Sequence, residues 1–256
     1  MKLNTTTYDT YWERGWAVVE GVFTTEEIDR IAVLATQICD EELLNLSDQP
    51  YFADRTADGR VIPRKLDFPF LKHADFRLFA FNERLRSLVE QLIGKPPLLL
   101  QDQIFMKPPR FGSAKPYHQD NAYFLLHPDD EALTAWIALD DVDELNGCLR
   151  YIDGSHRGPI FEHLPLPDEP YNLSPAQENI DLNREALAPV GKGGVVFHHS
   201  KMLHTSHRNE SDRWRRAYAT HWVSAEVSSE NETIGVAYYN ANADIYEAAT
   251  QALTTK

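Results

Sequence analysis

The chain has 256 residues, with 25 Lys and Arg against 39 Asp and Glu, a formal net charge of −14. That balance excludes a general nucleic-acid binder, which needs a basic face, and it argues against docking on an anionic membrane surface. No run approaches the ~18 apolar residues of a membrane helix, and two cysteines, Cys39 and Cys148, support neither a disulfide framework nor a cysteine-only zinc site. The first residues lack the apolar run of a signal peptide, so a reducing, cytoplasmic compartment is expected. The length suits one domain, 1–256, helix-rich over about 1–96, β-rich over about 97–230 and closed by a tail, 231–256.

Trp16-Ala17-Val18-Val19 is a short apolar strand candidate. Thr24 and Glu27 then have capping-box spacing. Ile28, Ile31, Ala32, Ala35, Ile38 and Cys39 keep a helical period, which predicts a helix over about 25–44. A second helix is signalled by Asn82 as cap, by Leu85, Leu88, Val89, Leu92 and Ile93 on one face, and by Gly94 as stop. Between them, 45–73 lacks periodicity and holds Pro50, Gly59, Pro63 and Pro69. Loops of that length are uncommon in compact domains and are often functional.

After Pro97 the character changes. The stretches 98–106, 133–142, 148–152, 194–198 and 216–227 read as strands bounded by Gly, Pro, Asn or Asp. Short strands with little helix between them predict an antiparallel sandwich or jelly roll, so the fold class is mainly β with flanking helices. The stretch 159–193 is a second irregular insertion. Both insertions are expected to fold over the mouth of the β core and select the substrate.

Three segments carry chemistry. In His118-Gln119-Asp120 an imidazole and a carboxylate stand two residues apart, which in a strand places both on one face. His198, His199, His204 and His207 follow in one short stretch, and one of them could complete a two-histidine, one-carboxylate set. That facial triad leaves positions open on Fe(II). The absence of a thiolate cluster suits Fe(II) or Mn(II). Arg213, Arg215 and Arg216 form a basic cluster in an acidic chain, and an arginine entering a buried pocket is the usual fork for a carboxylate. Adjacent strand residues face opposite sides, so only one of Arg215 and Arg216 can enter. Ala217, Ala219 and His221 share the face of Arg215, and Tyr218, Thr220 and Trp222 share the other. Alternation does not say which face is inside. Lys107, before the metal loop, either reaches a cosubstrate or substrate carboxylate or is an exposed strand-end lysine. One of Asn121 and Tyr123 is placed to touch substrate. His156 reads as a turn residue, and Asp140, Asp141, Asp143 and Glu144 as a solvated strand end rather than a second metal site.

Taken in order, these pieces resemble the phytanoyl-CoA dioxygenase family of Fe(II)/2-oxoglutarate oxygenases over roughly 103–223. They are Met106-Lys107-Pro108-Pro109, His118-Gln119-Asp120, Thr134-Ala135-Trp136-Ile137-Ala138-Leu139, Asn146-Gly147-Cys148-Leu149-Arg150 running on to Gly154-Ser155-His156-Arg157, Gly193-Gly194-Val195-Val196-Phe197, His204-Thr205-Ser206 and Asn209-Glu210-Ser211. Asp153 stands where the family commonly has proline, a mild departure in a turn. The resemblance implies a double-stranded β-helix, a cupin-like jelly roll, with iron at its open mouth. It implies His118, Asp120 and His204 as the iron ligands. It implies Arg215, eleven residues beyond His204, as the group holding the C5 carboxylate of 2-oxoglutarate, with Ser206 assisting and Trp136 as an aromatic wall. The implied reaction couples O2 and 2-oxoglutarate to hydroxylation of a small-molecule metabolite, with release of succinate and CO2. A halogenase would need chloride in place of the carboxylate, and Asp120 argues against one. The rival from another class is a non-catalytic cupin-like metal or ligand-binding protein, which would not need both a triad and a carboxylate-binding arginine. The net charge repels polyanions at long range and tilts the expected substrate toward a neutral or cationic metabolite, although Arg60, Arg64 and Lys65 form a basic cluster in the first insertion.

Overall fold

The computed structural model of the protein describes residues 1–46, 51–55, 58–167, 169–234, 238 and 243–254. Parts of both insertions (47–50, 56–57 and 168) and of the tail (235–237, 239–242, 255–256) lie outside these described residues. In chain order the strands are β1 (Trp16–Val19), β2 (Ala53–Arg55), β3 (Val61–Pro63), β4 (Lys65–Asp67), β5 (Pro97–Lys107), β6 (Lys115–His118), β7 (Leu126–His127), β8 (Ala132–Ala138), β9 (Leu149–Ile152), β10 (His163–Leu166), β11 (Glu169–Pro175), β12 (Glu185–Ala188), β13 (Val195–His199), β14 (His204–Ser206), β15 (Arg215–Ser224) and β16 (Ser228–Ser229). Helices α1 (Thr5–Arg14), α2 (Thr25–Leu46), α3 (Pro69–Lys72), α4 (Ala74–Ala80) and α5 (Glu83–Ile93) precede β5, and a single turn, α6 (Asn121–Phe124), follows β6. A last helix spans Ala243–Thr254. No described helix is long and apolar enough to cross a membrane.

The jelly roll is built from two antiparallel sheets. The larger runs β1-β13-β8-β15-β5-β4 and the smaller β12-β9-β14-β6. Strand alternation sorts two cores. Leu133, Ala135 and Ile137 of β8 and Tyr218 and Trp222 of β15 pack under the helices with Ile28, Ile31, Phe76, Leu85 and Leu88. The intervening Trp136, Ala138, Ala217 and Ala219 face the smaller sheet and meet Leu149, Tyr151 and Ala188. Because β8 is covered on both faces, all seven of its residues are buried, which is why it is apolar on both faces apart from Thr134.

The two longest predicted helices form as expected. Thr24 and Glu27 exchange backbone–side-chain bonds of 2.8 and 3.3 Å, the reciprocal capping box, although α2 continues to Leu46. The Asn82 side chain accepts from Arg84 N and Gly94 closes α5 in the left-handed region. The two insertions are less irregular than expected. The first holds β2, β3, β4 and α3, and the second holds the β10–β11 hairpin and β12. Segments of three or four residues carry too few positions to show a period, and β4 and β12 are held by distant partners, β5 and β9. The acidic run is ion-paired rather than solvated throughout: Asp140 takes Arg216 at 2.6 Å and Asp143 takes Arg213 at 2.5 Å.

Asp102 ties the helical layer to β5. It accepts from Phe70 N at 2.8 Å, Tyr218 Oη at 2.5 Å and Tyr238 Oη at 2.7 Å, and burial pushes its pKa up to about 7 against those donors. A carboxyl raised in the folded state binds more protons folded than unfolded, so it lowers stability as pH rises from its ordinary 3.8 to about 7. The slope approaches ~1.4 kcal/mol per pH unit within that window. Asp102→Asn keeps an acceptor for Phe70 and Tyr218. Its denaturation midpoint should therefore gain on the wild type steadily as the pH is raised through this window. Parallel curves would mean that the carboxyl is ionised throughout.

Candidate metal centre and cosubstrate pocket

β6 and β14 bring two histidines side by side. His204 pairs with His118 across the ladder, and their rings stand 4.1 Å apart, centre to centre. Asp120 does not reach the site by strand alternation. β6 ends at His118, and Asp120 adopts φ −57°, ψ −39° at the head of α6. A strand end followed by a helical turn, not pleat alternation, aims its carboxylate at the imidazoles. One ligand atom each from His118, Asp120 and His204 lies within 4.8 Å of the other two, and all three residues are buried.

Hydrogen bonds decide which atoms face inward. His118 Nδ1 donates to Pro116 O and His204 Nδ1 to Met202 O, each at 2.9 Å. Both Nε2 atoms are therefore left as bare lone pairs, 3.6 and 3.7 Å from Asp120 Oδ1. Burial, followed by the charge of His204, holds His118 well below its ordinary pKa, and burial holds His204 down to about 4. For Asp120 burial acts upward, but His204 and the His198 hydrogen bond outweigh it and keep the carboxylate well below its usual range. Three acceptors thus converge with no donor among them. That is unfavourable for the protein alone and fits a divalent cation with nitrogen and oxygen ligands.

The far carboxylate oxygen is held from behind. Thr134 Oγ1 donates to Asp120 Oδ2 at 2.7 Å, and His198 Nε2 stands 3.1 Å from the same atom. Tyr151 Oη and His198 Nδ1 are 2.8 Å apart, and so are His221 Nδ1 and Thr134 Oγ1. Such supports orient a ligand and fix its charge. His198, weighed above as a ligand, stands behind Asp120. His199 faces the other way on β13, 3.3 Å from Asp130 and against His156. His207 is exposed. His156 is the turn residue expected, its Nε2 bonded to the Trp12 carbonyl at 3.2 Å and its ring buried against His199. Thr134 and Tyr151 gave no signal in the sequence, since a strand threonine and a core tyrosine are ordinary.

One arm of the same cavity holds the cationic groups. Arg215 and Lys107 are directly cross-strand on β15 and β5, so they share the inner face. Arg215 is 2 % exposed, its Nε has no partner, and its Cζ lies 5.5 Å from the Trp136 ring. Burial brings its pKa down to about 10, which leaves it charged at neutral pH. Lys107 is buried too. It donates to Ser206 Oγ at 2.8 Å and to the His207 carbonyl, and burial with Arg215 beside it pushes its pKa well down. Asn209 ties both strand ends together, donating to Lys107 O at 2.9 Å and Arg213 O at 2.6 Å. Gly147, at φ +88°, lets the chain close here, since a Cβ would stand 2.6 Å from the His207 carbonyl oxygen. Arg216 points to the helices and forks Asp140. The cavity joining these groups measures about 350 Å³ and also touches Tyr123. Asn121 instead holds the turn through Leu126.

A jelly roll with a His-Asp-His centre and a buried arginine lining the same cavity defines a non-haem iron, 2-oxoglutarate-dependent oxygenase. The sequence profile of the phytanoyl-CoA dioxygenase (PhyH) family matches residues 11–217, and the chain belongs to that family. It is 29 % identical over 229 residues to the peroxisomal phytanoyl-CoA dioxygenase of Bos taurus, covering 84 % of this chain and 67 % of that one. Its fold is similar to that of SnoK, a non-haem alpha-ketoglutarate-dependent carbocyclase from nogalamycin biosynthesis, at a TM-score of 0.70 and 24 % identity, over 94 % of this chain and 90 % of that one. EvdO2 of Micromonospora carbonacea var. aurantiaca, crystallised with 2-oxoglutarate, aligns at a TM-score of 0.69 and 21 % identity, over 91 % and 95 %.

Proposed function

We propose that this chain acts as one oxygenase domain that hydroxylates a small-molecule metabolite. In this reading His118, Asp120 and His204 hold Fe(II), and Arg215 grips the C5 carboxylate of 2-oxoglutarate. Ser206 and Lys107 line the same arm, and Trp136 forms its wall. Iron bound there supplies O2 activation coupled to oxidation of 2-oxoglutarate to succinate and CO2. The protein's own residues bind, orient and exclude water. Nδ1 bonds to two backbone carbonyls fix both imidazoles, Thr134 and His198 fix the carboxylate, and the cavity holds the target C–H bond beside the metal.

The observation that carries the reading is a pair of incomplete charges in one cavity. Three convergent acceptors lack a cation, and a buried guanidinium nitrogen lacks an anion. Each is costly unpaired, and Fe(II) with 2-oxoglutarate completes both. A barrel that merely stores a ligand has no need of the second, so the non-catalytic alternative is not favoured. The small-molecule class is supported by SnoK, which works in nogalamycin biosynthesis. Cys39 and Cys148 are buried and free, which supports a reducing compartment such as the cytoplasm. The test is anaerobic addition of Fe(II) and 2-oxoglutarate, which should produce a weak visible charge-transfer band, followed by succinate release when air is admitted. Absence of both would return the protein to the storage alternative.

A further inference from the structure

Beyond the His-Asp-His set, Arg215 and Lys107, the cavity wall is lined by three more cationic side chains. Arg64 and Lys65 enter from the first insertion and Lys115 from the start of β6. Each rests on a tyrosine ring. Arg64 Cζ lies 4.8 Å from the Tyr171 centroid, Lys65 Nζ 3.3 Å from Tyr51 and Lys115 Nζ 4.9 Å from Tyr123. Lys65 pairs with Asp67 at 2.9 Å, and Arg64 Nη1 donates to Tyr171 Oη at 2.8 Å. Lys115 is held by neutral atoms, Tyr123 Oη at 3.1 Å and Asn172 Oδ1 at 2.8 Å. No carboxylate is bonded to it among the described residues: Asp120 and Glu169 act on it only through space, and Glu169 itself accepts from Asn172.

Lys115 reaches the cavity through a defect in the ladder. His204 faces His118 and Ser206 faces Lys115, so two steps along β14 match three along β6. The extra residue is a bulge. In a regular strand, residues three apart point to opposite faces, and Lys115 would leave the cavity that His118 enters. Burial, with Lys65 and Arg64 beside it, lowers the Lys115 pKa to about 7, and a ligand anion would offset that loss of charge. A chain of net charge −14 has therefore gathered positive charge at the one place where its substrate must sit.

From this wall we infer that the substrate carries an anionic group, a carboxylate or a phosphate, received by Lys115 with Arg64 alongside, and that its body lies among the tyrosines toward the metal. The inference deepens the oxygenase reading and rests on it. It reverses the expectation of a neutral or cationic substrate, because exposed surface charge is screened beyond ~10 Å whereas these cations act at contact.

The test loads the protein with Mn(II) and 2-oxoglutarate and titrates it calorimetrically with 3-phenylpropionate, phenyl phosphate and the neutral 3-phenylpropanamide. At least one anion should bind about tenfold to a hundredfold more tightly than the amide, as a charge-assisted hydrogen bond allows. The better of the two anions distinguishes carboxylate from phosphate. Lys115→Met should lose the preference and Lys115→Arg should retain most of it, which separates lost charge from a damaged wall. The inference is overturned if the amide binds as well as the anions, if neither anion binds at millimolar concentration, or if the preference survives Lys115→Met. The 2-oxoglutarate titration made during loading tests the underlying reading separately, since its failure removes the oxygenase assignment itself.

Discussion

Arg215→Ala should raise the apparent 2-oxoglutarate constant by about one to three orders of magnitude, because a charge-assisted bond to a buried group contributes ~1.5–3 kcal/mol and a bidentate one more. The geometry makes the effect specific to the cosubstrate. Arg215 has no salt bridge among the described residues, and its Nε is without a partner, so removing it breaks no ion pair. Arg215→Lys should recover only part of the affinity, since an ammonium cannot reproduce the planar fork. Arg216→Ala is the internal control. Its side chain lies on the opposite face, with two bonds to Asp140 of 2.9 and 2.6 Å and one to Thr36 Oγ1 of 3.1 Å. Losing it should cost about 1–3 kcal/mol of stability by stranding a half-buried carboxylate, and should leave the 2-oxoglutarate constant where it was. Succinate release against 2-oxoglutarate concentration, with a denaturation curve for each variant, separates the two. A cosubstrate effect in Arg216→Ala and none in Arg215→Ala would place the wrong face of β15 inside.

Alternation along β15 does not distinguish its two faces. β15 is covered by the helices on one side and by the smaller sheet on the other, so Tyr218 and Ala219 are both fully buried. No polar face remains to mark the outside, and alternation alone leaves Arg215 and Arg216 equivalent. The helices were legible because their signals are local: the Thr24–Glu27 box, the Asn82 cap and the Gly94 stop act within a turn. The strands β4, β12 and β14 were not legible as strands, because three or four residues carry no period and their partners are far along the chain. The metal motif was visible as residue types, but its geometry differed, since Asp120 lies in a helical turn. Lys115 gave no signal at all. Its inward aim depends on a bulge that appears only when β6 and β14 are paired. The Tyr151–His198 contact likewise joins positions 47 residues apart and has no local signature.

The largest effect of all should come from the histidines, and it should be graded by distance from the metal. His118→Ala or His204→Ala removes one of the three proposed ligands, and anaerobic Mn(II) titration should then show no saturable site, with succinate release lost. The fold should persist, because the two cores are packed from apolar side chains that do not include the triad, and removing one of three facing acceptors relieves repulsion. Far-UV circular dichroism checks this. His198→Ala should fall between. It removes the contact to Asp120 Oδ2 at 3.1 Å but leaves Thr134 at 2.7 Å, and loss of such an outer partner typically weakens metal affinity about 10–100-fold. His199→Ala should bind metal like the wild type, because His199 lies on the outer side of β13 beside Asp130 and His156. The order of the four variants is the informative result. If His199→Ala lost the metal while His204→Ala kept it, the distal ligand would have been misassigned. If all four bound equally, the three converging acceptors would be a structural cluster and the oxygenase reading would lose its centre.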